Sequence, residues 1–231
     1  MTTFALISGA GTDTWYWGPL QAALRERGHR AVAAEMPVED DAAGFGDYAD
    51  AVVADVRAAG AADDDLVVVA HSFGGFTAPL VADRVPVRRI VMLTAMVPVP
   101  GEAPAQWWEA TGQDAAMRAQ DEEQGIDPDD EIARYLHDVP ADAAATALEH
   151  GRGQSSTPYD AVWPGKAWPD VPTSYLLCRD DRLFPAAFVR SMVADRLGLV
   201  PDEINGGHHV MLSRPGELAD RLVAFAALGG S

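Results

Sequence analysis

The stretch Leu66-Val67-Val68-Val69-Ala70-His71-Ser72-Phe73-Gly74-Gly75 carries most of the information about the fold. Its first six residues form a short, strongly apolar run of the kind that is buried on both faces, as a central strand of a parallel sheet would be. From Phe73 to about Asp83 the pattern is helical. A serine at such a junction occupies a sharp turn that pushes its hydroxyl out at the sheet edge. The turn brings neighbouring backbones together, so the residues two before and two after the serine must be small. Ala70 and Gly74 satisfy that demand, and Gly75 adds room for close strand–helix approach. The helix start also points unsatisfied N–H groups at the serine oxygen. An ordinary N-cap serine is the alternative for this position; the apolar strand before it and the helix after it favour a nucleophile.

Working outward, short apolar runs alternate with amphipathic stretches. Strands are predicted at Phe4–Ser8, Arg30–Glu35, Arg89–Thr94, Thr173–Cys178 and Val200–Ile204. Helices are predicted where Trp17, Leu20 and Leu24 recur before a stop at Gly28, at Asp47–Ala59, and at Pro215–Phe225. This rhythm predicts an α/β fold, a mostly parallel sheet with helices on both faces. The 231 residues, 48% of them hydrophobic, fit one domain with a large core. Residues 98–170 break the rhythm. They hold no clear β run, many prolines, short helical stretches at Asp130–Leu136 and Ala141–His150, and Trp107, Trp108, Trp163 and Trp168. They are read as an inserted helical cap over the sheet rather than a second domain.

The formal net charge of −18 sets an acidic surface against phosphate backbones and anionic lipid, so neither nucleic acid nor a membrane surface is an expected partner. Cys178 is the single cysteine and cannot form an internal disulfide. No secretory pattern opens the chain, and no apolar run reaches the roughly 18 residues of a membrane span. A cytoplasmic protein acting on a small-molecule substrate is the expectation, with a homodimer left open. No His/Cys/carboxylate cluster stands at ligand spacing and no dinucleotide fingerprint is present, so neither metal nor organic cofactor is expected.

A serine nucleophile needs a base. Gly206-Gly207-His208-His209 lies between the last strand and the last helix, on the kind of loop where doubly wound sheets carry their chemistry. Adjacent loop residues point in different directions, so one of His208 and His209 is the base and not both. His71 adjoins the serine, but strand alternation turns it away. The imidazole in turn needs an acid to fix its tautomer. Asp180 and Asp181 follow the Thr173–Cys178 strand; Asp181 is the better placed, in the loop before the helix that Pro185 helps to start, with Asp180 in reserve. Ser8-Gly9-Ala10-Gly11 follows the first strand, and its small residues let backbone N–H groups approach the serine. The Ala10 and Phe73 N–H groups are the expected oxyanion donors.

Together, Ser8-Gly-Ala-Gly11 with Trp15-Tyr-Trp17, Ala70-His-Ser-Phe-Gly-Gly75, Cys178-Arg-Asp-Asp181-Arg182, and Gly207-His208 leading to Leu212-Ser-Arg-Pro215 resemble the α/β-hydrolase superfamily. Within it the likeness is to the small-cap group of plant methylesterases, hydroxynitrile lyases and bacterial esterase-like relatives. The resemblance covers nearly the whole chain. It implies a Ser72, Asp181, His208 triad in that chain order and oxyanion donors on Ala10 and Phe73. Two departures stand out. Ser8 replaces the histidine usual before the oxyanion-loop glycine, and His209 stands where related lyases carry lysine, a residue that could be cationic in a polar site. Gly9 stands where lyases tend to carry threonine, which favours hydrolysis. The expected activity is hydrolysis of small to medium apolar or aromatic carboxylic esters through an acyl-enzyme. A hydroxynitrile lyase-like C–C cleavage and a non-catalytic small-molecule receptor are the alternatives. Gly9, Met96, Trp107, Trp108 and His209 are the expected substrate contacts, with Met117, Tyr135 and Leu136 as further wall candidates.

Overall fold

The computed structural model describes residues 1–61 and 65–228. In chain order it runs β1 (Thr2–Ile7), α1 (Gly18–Glu26), β2 (Arg30–Ala33), α2 (Phe45–Ala58), β3 (Asp65–His71), α3 (Ala78–Ala82) and β4 (Arg89–Leu93). Four helices follow before the sheet resumes: α4 (Pro104–Thr111), α5 (Gln113–Gln124), α6 (Ala141–Glu149) and α7 (Thr157–Asp160). The chain closes with β5 (Thr173–Cys178), α8 (Ala186–Leu197), β6 (Asp202–Ile204), α9 (Val210–Ser213) and α10 (Pro215–Ala227).

The six strands form one sheet in the order β2-β1-β3-β4-β5-β6, every pair parallel. Side chains alternate across it. Val68 and Ala70 of β3 join Ala5, Ile7, Ile90, Met92, Tyr175 and Leu177 in a core closed by α2, α3 and α8. Val67 and Val69 join Phe4, Leu6, Val91, Leu93, Leu176 and Cys178 in a second core closed by α1 and α10. A strand covered on both faces has no polar side to spare, which is why β3 reads as an uninterrupted apolar run.

Between β4 and β5 no strand occurs among the described residues. Two aromatic anchors tie this segment down: Trp107 Nε1 donates to Val97 O at 3.1 Å, and Trp163 Nε1 donates to Phe76 O at 2.9 Å. A buried ion pair joins its beginning to α8, with Arg196 Nη1 and Nη2 at 2.6 and 2.7 Å from Glu102 Oε2 and Oε1. Ile132–Leu136 is wound as a single π turn rather than the ordinary helix expected over Asp130–Leu136. Buried Arg134 is gripped there by both Asp121 oxygens at 2.6 and 2.7 Å and donates to Arg182 O at 2.9 Å. No helix among the described residues is long and apolar enough to cross a membrane.

Candidate active site

Ser72 sits at the C-terminal end of β3 with φ 52°, in the left-handed region that non-glycine residues rarely adopt. The surroundings hold it there. Ser72 O accepts the Met96 N–H at 2.9 Å. A Cβ on Gly74 would come within 2.7 Å of Ser8 O, and one on Gly75 within 2.0 Å of Met96 O. Both positions therefore need glycine for contact distance alone. The expected continuous helix from Phe73 is corrected by the structure. Ser72–Phe76 is a tight 3-10 turn, and the α-helix begins only at Ala78. The close backbone approach at Gly75 accounts for the difference, since the turn must press against the loop after β4.

Asp181 is fully buried, with four donors on its two oxygens. Oδ2 lies 2.8 Å from His208 Nδ1 and 2.6 Å from Thr94 Oγ1. Oδ1 accepts the Leu183 and Phe184 N–H groups at 2.8 and 3.0 Å. Burial alone would raise this carboxyl's pKa; the neighbouring His208, the Thr94 hydroxyl and the Phe184 N–H outweigh it and hold the group below its ordinary value. An ionised carboxylate only accepts, so the His208 ring donates from Nδ1 and the free lone pair lies on Nε2. Asp180 is exposed. Its Oδ2 accepts the Gly206 N–H at 2.9 Å, so it shapes the histidine loop instead of touching the imidazole. Gly207 packs so tightly that a Cβ there would lie 2.7 Å from both Asp138 Oδ1 and His137 Nε2.

Ser72, Phe73, Ala10, His208 and His209 line one cavity of about 450 Å³. Ser72 and His208 share it, with no direct hydrogen bond between them among the described residues. Gly9 lies beneath the serine: a Cβ there would be 2.8 Å from Ser72 Cβ and 3.4 Å from its Oγ. Its part is close approach, not the substrate contact expected of it. The Ala10 N–H meets no protein acceptor among the described residues. Ser8, in the place of the usual histidine, accepts the Trp17 indole N–H at 2.9 Å.

The cavity wall includes Met96, Trp108, Tyr135 and Leu136, as expected. Trp107 and Met117 are not on it. Trp107 is fully buried in the core beside Phe184 and Phe188, and neighbouring positions on α4 necessarily face different ways. Tyr16, Tyr159, Leu183, Glu131 and Arg152 line the cavity and were not anticipated. Tyr159 stacks on Phe73 with centroids 4.5 Å apart.

The histidines also differ from expectation. His71 is not turned away: it lines the cavity, its ring centroid 4.6 Å from that of His208, and its Nε2 donates to His208 O at 2.9 Å. His71 keeps its place as the last residue of β3, and the left-handed backbone at Ser72 brings the serine to the same cavity instead of to the opposite face. His209 is not cationic. Burial, then His71 and His208, drive its pKa well below the ordinary value, and its Nδ1 is buried without a partner.

The structure thus brings together a serine at a strained strand-to-helix turn and an imidazole held by a buried carboxylate. The alpha/beta hydrolase family model matches residues 4–221, and the chain belongs to that family. It is 29% identical to Esterase PIR7B of rice over 96% of this chain and 95% of that protein. It is 25% identical to the alpha-hydroxynitrile lyase of Arabidopsis thaliana over 96% of each. Among solved structures, polyneuridine aldehyde esterase superposes with a TM-score of 0.77 at 21% identity, covering 98% of this chain and 99% of that one.

Proposed function

We propose that the protein hydrolyses carboxylic esters through an acyl-enzyme on Ser72. His208 Nε2 takes the Ser72 proton as Oγ attacks the acyl carbon. The tetrahedral oxygen is held by the Ala10 and Phe73 N–H groups, and Asp181 stabilises the imidazolium. His208 then protonates the departing alcohol, activates water against the acyl-serine and releases the acid. The observation that carries this reading is the 2.8 Å Asp181–His208 contact, which leaves Nε2 free to accept in the cavity Ser72 lines. A family match to hydrolases and a 29% identical esterase support it.

The cavity's volume of about 450 Å³ and its Tyr16, Phe73, Met96, Trp108 and Tyr135 walls favour small to medium aromatic or apolar esters. Turnover of an aryl acetate tests the reading. Wild type is expected to be active and Ser72→Ala inactive. Activity that survives in the variant removes Ser72 from the mechanism, and tight small-molecule binding without turnover makes the protein a receptor. Cyanohydrin cleavage is a second reading, favoured by the lyase relative. It is disfavoured by a neutral His209 where a lyase would place a cation. Release of cyanide from mandelonitrile, dependent on His209, would establish it.

A further inference from the structure

The loop that carries Ala10 is fastened to a single stretch of the segment between β4 and β5. Tyr16 Oη donates to Ala147 O at 2.7 Å, the Arg152 N–H donates to Gly11 O at 3.0 Å, and His150 Nδ1 lies 2.8 Å from Asp13 Oδ2. The His150 ring is stacked flat on Trp15, with centroids 4.7 Å apart and planes 7° from parallel. That stack sets the direction in which Nδ1 points. Asp13 has a second bond: its Oδ1 accepts the Trp15 N–H at 2.8 Å and caps the turn Thr14–Trp17. One carboxylate therefore joins the end of the oxyanion loop to the turn behind it and to residue 150. Arg152 is anchored on the far side by Glu35 and Glu39.

The loop has few internal ties at its tip. Gly9 and Gly11 bracket Ala10, Gly11 has φ 71°, and the internal ties are Thr12 Oγ1 to Gly9 O at 3.1 Å and Ser8 Oγ to Asp13 O at 3.5 Å. An oxyanion donor accelerates a reaction only if it is already in place when charge develops. We propose that His150 is a positioning residue for the oxyanion hole. By holding Asp13 against the Trp15 stack, it keeps the Gly9–Asp13 loop where the Ala10 N–H can meet the tetrahedral oxygen. This rests on the ester-hydrolase reading and its Ala10 donor. The pair is partly solvent-exposed, so its contribution to global stability is small and its effect belongs in the rate.

The test is the kinetics of His150→Ala on an aryl acetate. Complete loss of an oxyanion donor costs roughly 10²–10³ in rate, and loosening one is expected to lower kcat about 5- to 20-fold with KM held within about twofold. Affinity for an aryl boronic acid, which adds to a serine as a tetrahedral adduct, should fall by a similar factor. His150→Asn keeps a donor at the position of Nδ1 and should recover most of the rate. His150→Phe keeps the stack without the donor and should be as slow as alanine, which preserves the test if the alanine variant fails to fold. The double variant with Asp13→Ala should be no slower than Asp13→Ala alone. Wild-type kcat and boronate affinity in His150→Ala and His150→Phe, or an asparagine variant as slow as alanine, would overturn the proposal. Ser72→Ala in the same assay keeps the two ideas apart: its continued turnover sinks the hydrolase reading, whereas its inactivity beside an unaffected His150→Ala sinks only the positioning role.

Discussion

Replacing Asp181 by asparagine exchanges one buried oxygen for an NH₂ group, and the structure says which contacts change. Asn Oδ1 can still accept the Leu183 and Phe184 N–H groups now at 2.8 and 3.0 Å, so the loop keeps its backbone anchors and the chain should fold. The amide NH₂ takes the place of Oδ2, which accepts from His208 Nδ1 and Thr94 Oγ1. Thr94 can rotate its hydroxyl to accept. His208 can keep the contact only by presenting an Nδ1 lone pair, which moves its proton to Nε2, the atom that receives the Ser72 proton in the proposed mechanism. A base in the wrong tautomer costs about 10⁴ in kcat in the serine proteases where this exchange is known. We expect 10³–10⁴ here, about 4–5.5 kcal/mol at roughly 1.36 kcal/mol per factor of ten. The assay is steady-state turnover of an aryl acetate, with thermal unfolding measured alongside to show that the variant is folded. Asp180→Asn is the control, since Asp180 holds only loop backbone and His137, and it should lose about threefold or less. A folded Asp181→Asn enzyme within tenfold of wild type, or an Asp180→Asn enzyme equally impaired, would refute the tautomer argument.

Three further outcomes follow from particular contacts. His209 is held neutral by burial and by His71 and His208, so its pKa when folded lies well below the value near 6.5 of the unfolded chain. Its stabilising contribution is complete above about pH 6.5 and is lost as pH falls, at up to about 1.4 kcal/mol per unit; between pH 7 and 5 the urea-derived stability of wild type should therefore fall more steeply than that of His209→Leu, and parallel curves would contradict the buried neutral state. Glu102→Ala leaves Arg196 buried and unpaired at a site where each partner is about nine-tenths covered, which should cost about 3 kcal/mol and lower Tm by roughly 6–12 °C; a Tm change under about 2 °C would show that the pair has no structural role. Trp107→Ala should lose about 3–5 kcal/mol of stability through its core cavity, whereas Trp108→Ala should raise KM for aryl esters about 5- to 30-fold with little change in Tm, and the reverse pattern would mean the two side chains are wrongly assigned to core and wall.

The parts of this molecule that could be read without coordinates are those in which local sequence and global fold say the same thing. β5 lies at the residues its apolar run predicts, and Ser72, Asp181 and the His208–His209 pair could be placed at one edge because each follows a strand and a parallel sheet gathers such loops there, whereas the preference for His208 over His209 came from the family resemblance. What escaped was set by distances between backbones that no local pattern records. The helix after Ser72 begins with a tight turn because Gly75 abuts Met96 O, and Ser72 shares the cavity with His71 because the chain turns left-handed at Ser72. Thr94, with φ 39° and its hydroxyl on Asp181, lies at the end of β4 much as Ser72 lies at the end of β3, yet nothing in Leu93-Thr94-Ala95 announces it. Trp107 and Trp108 could not be told apart because the pairing of α4 with the core decides which faces inward. The π turn that carries Tyr135 to the cavity wall depends on Asp121 and Arg182 closing around Arg134, contacts 13 and 48 residues away in sequence.

The most direct measurement is covalent. Incubating the protein with an aryl fluorophosphonate and mapping the adduct by peptide mass spectrometry should place the label on Ser72. Labelling should be abolished in Ser72→Ala and slowed by orders of magnitude in His208→Ala. A label on another residue, or undiminished labelling without His208, would contradict the account of a histidine-activated serine.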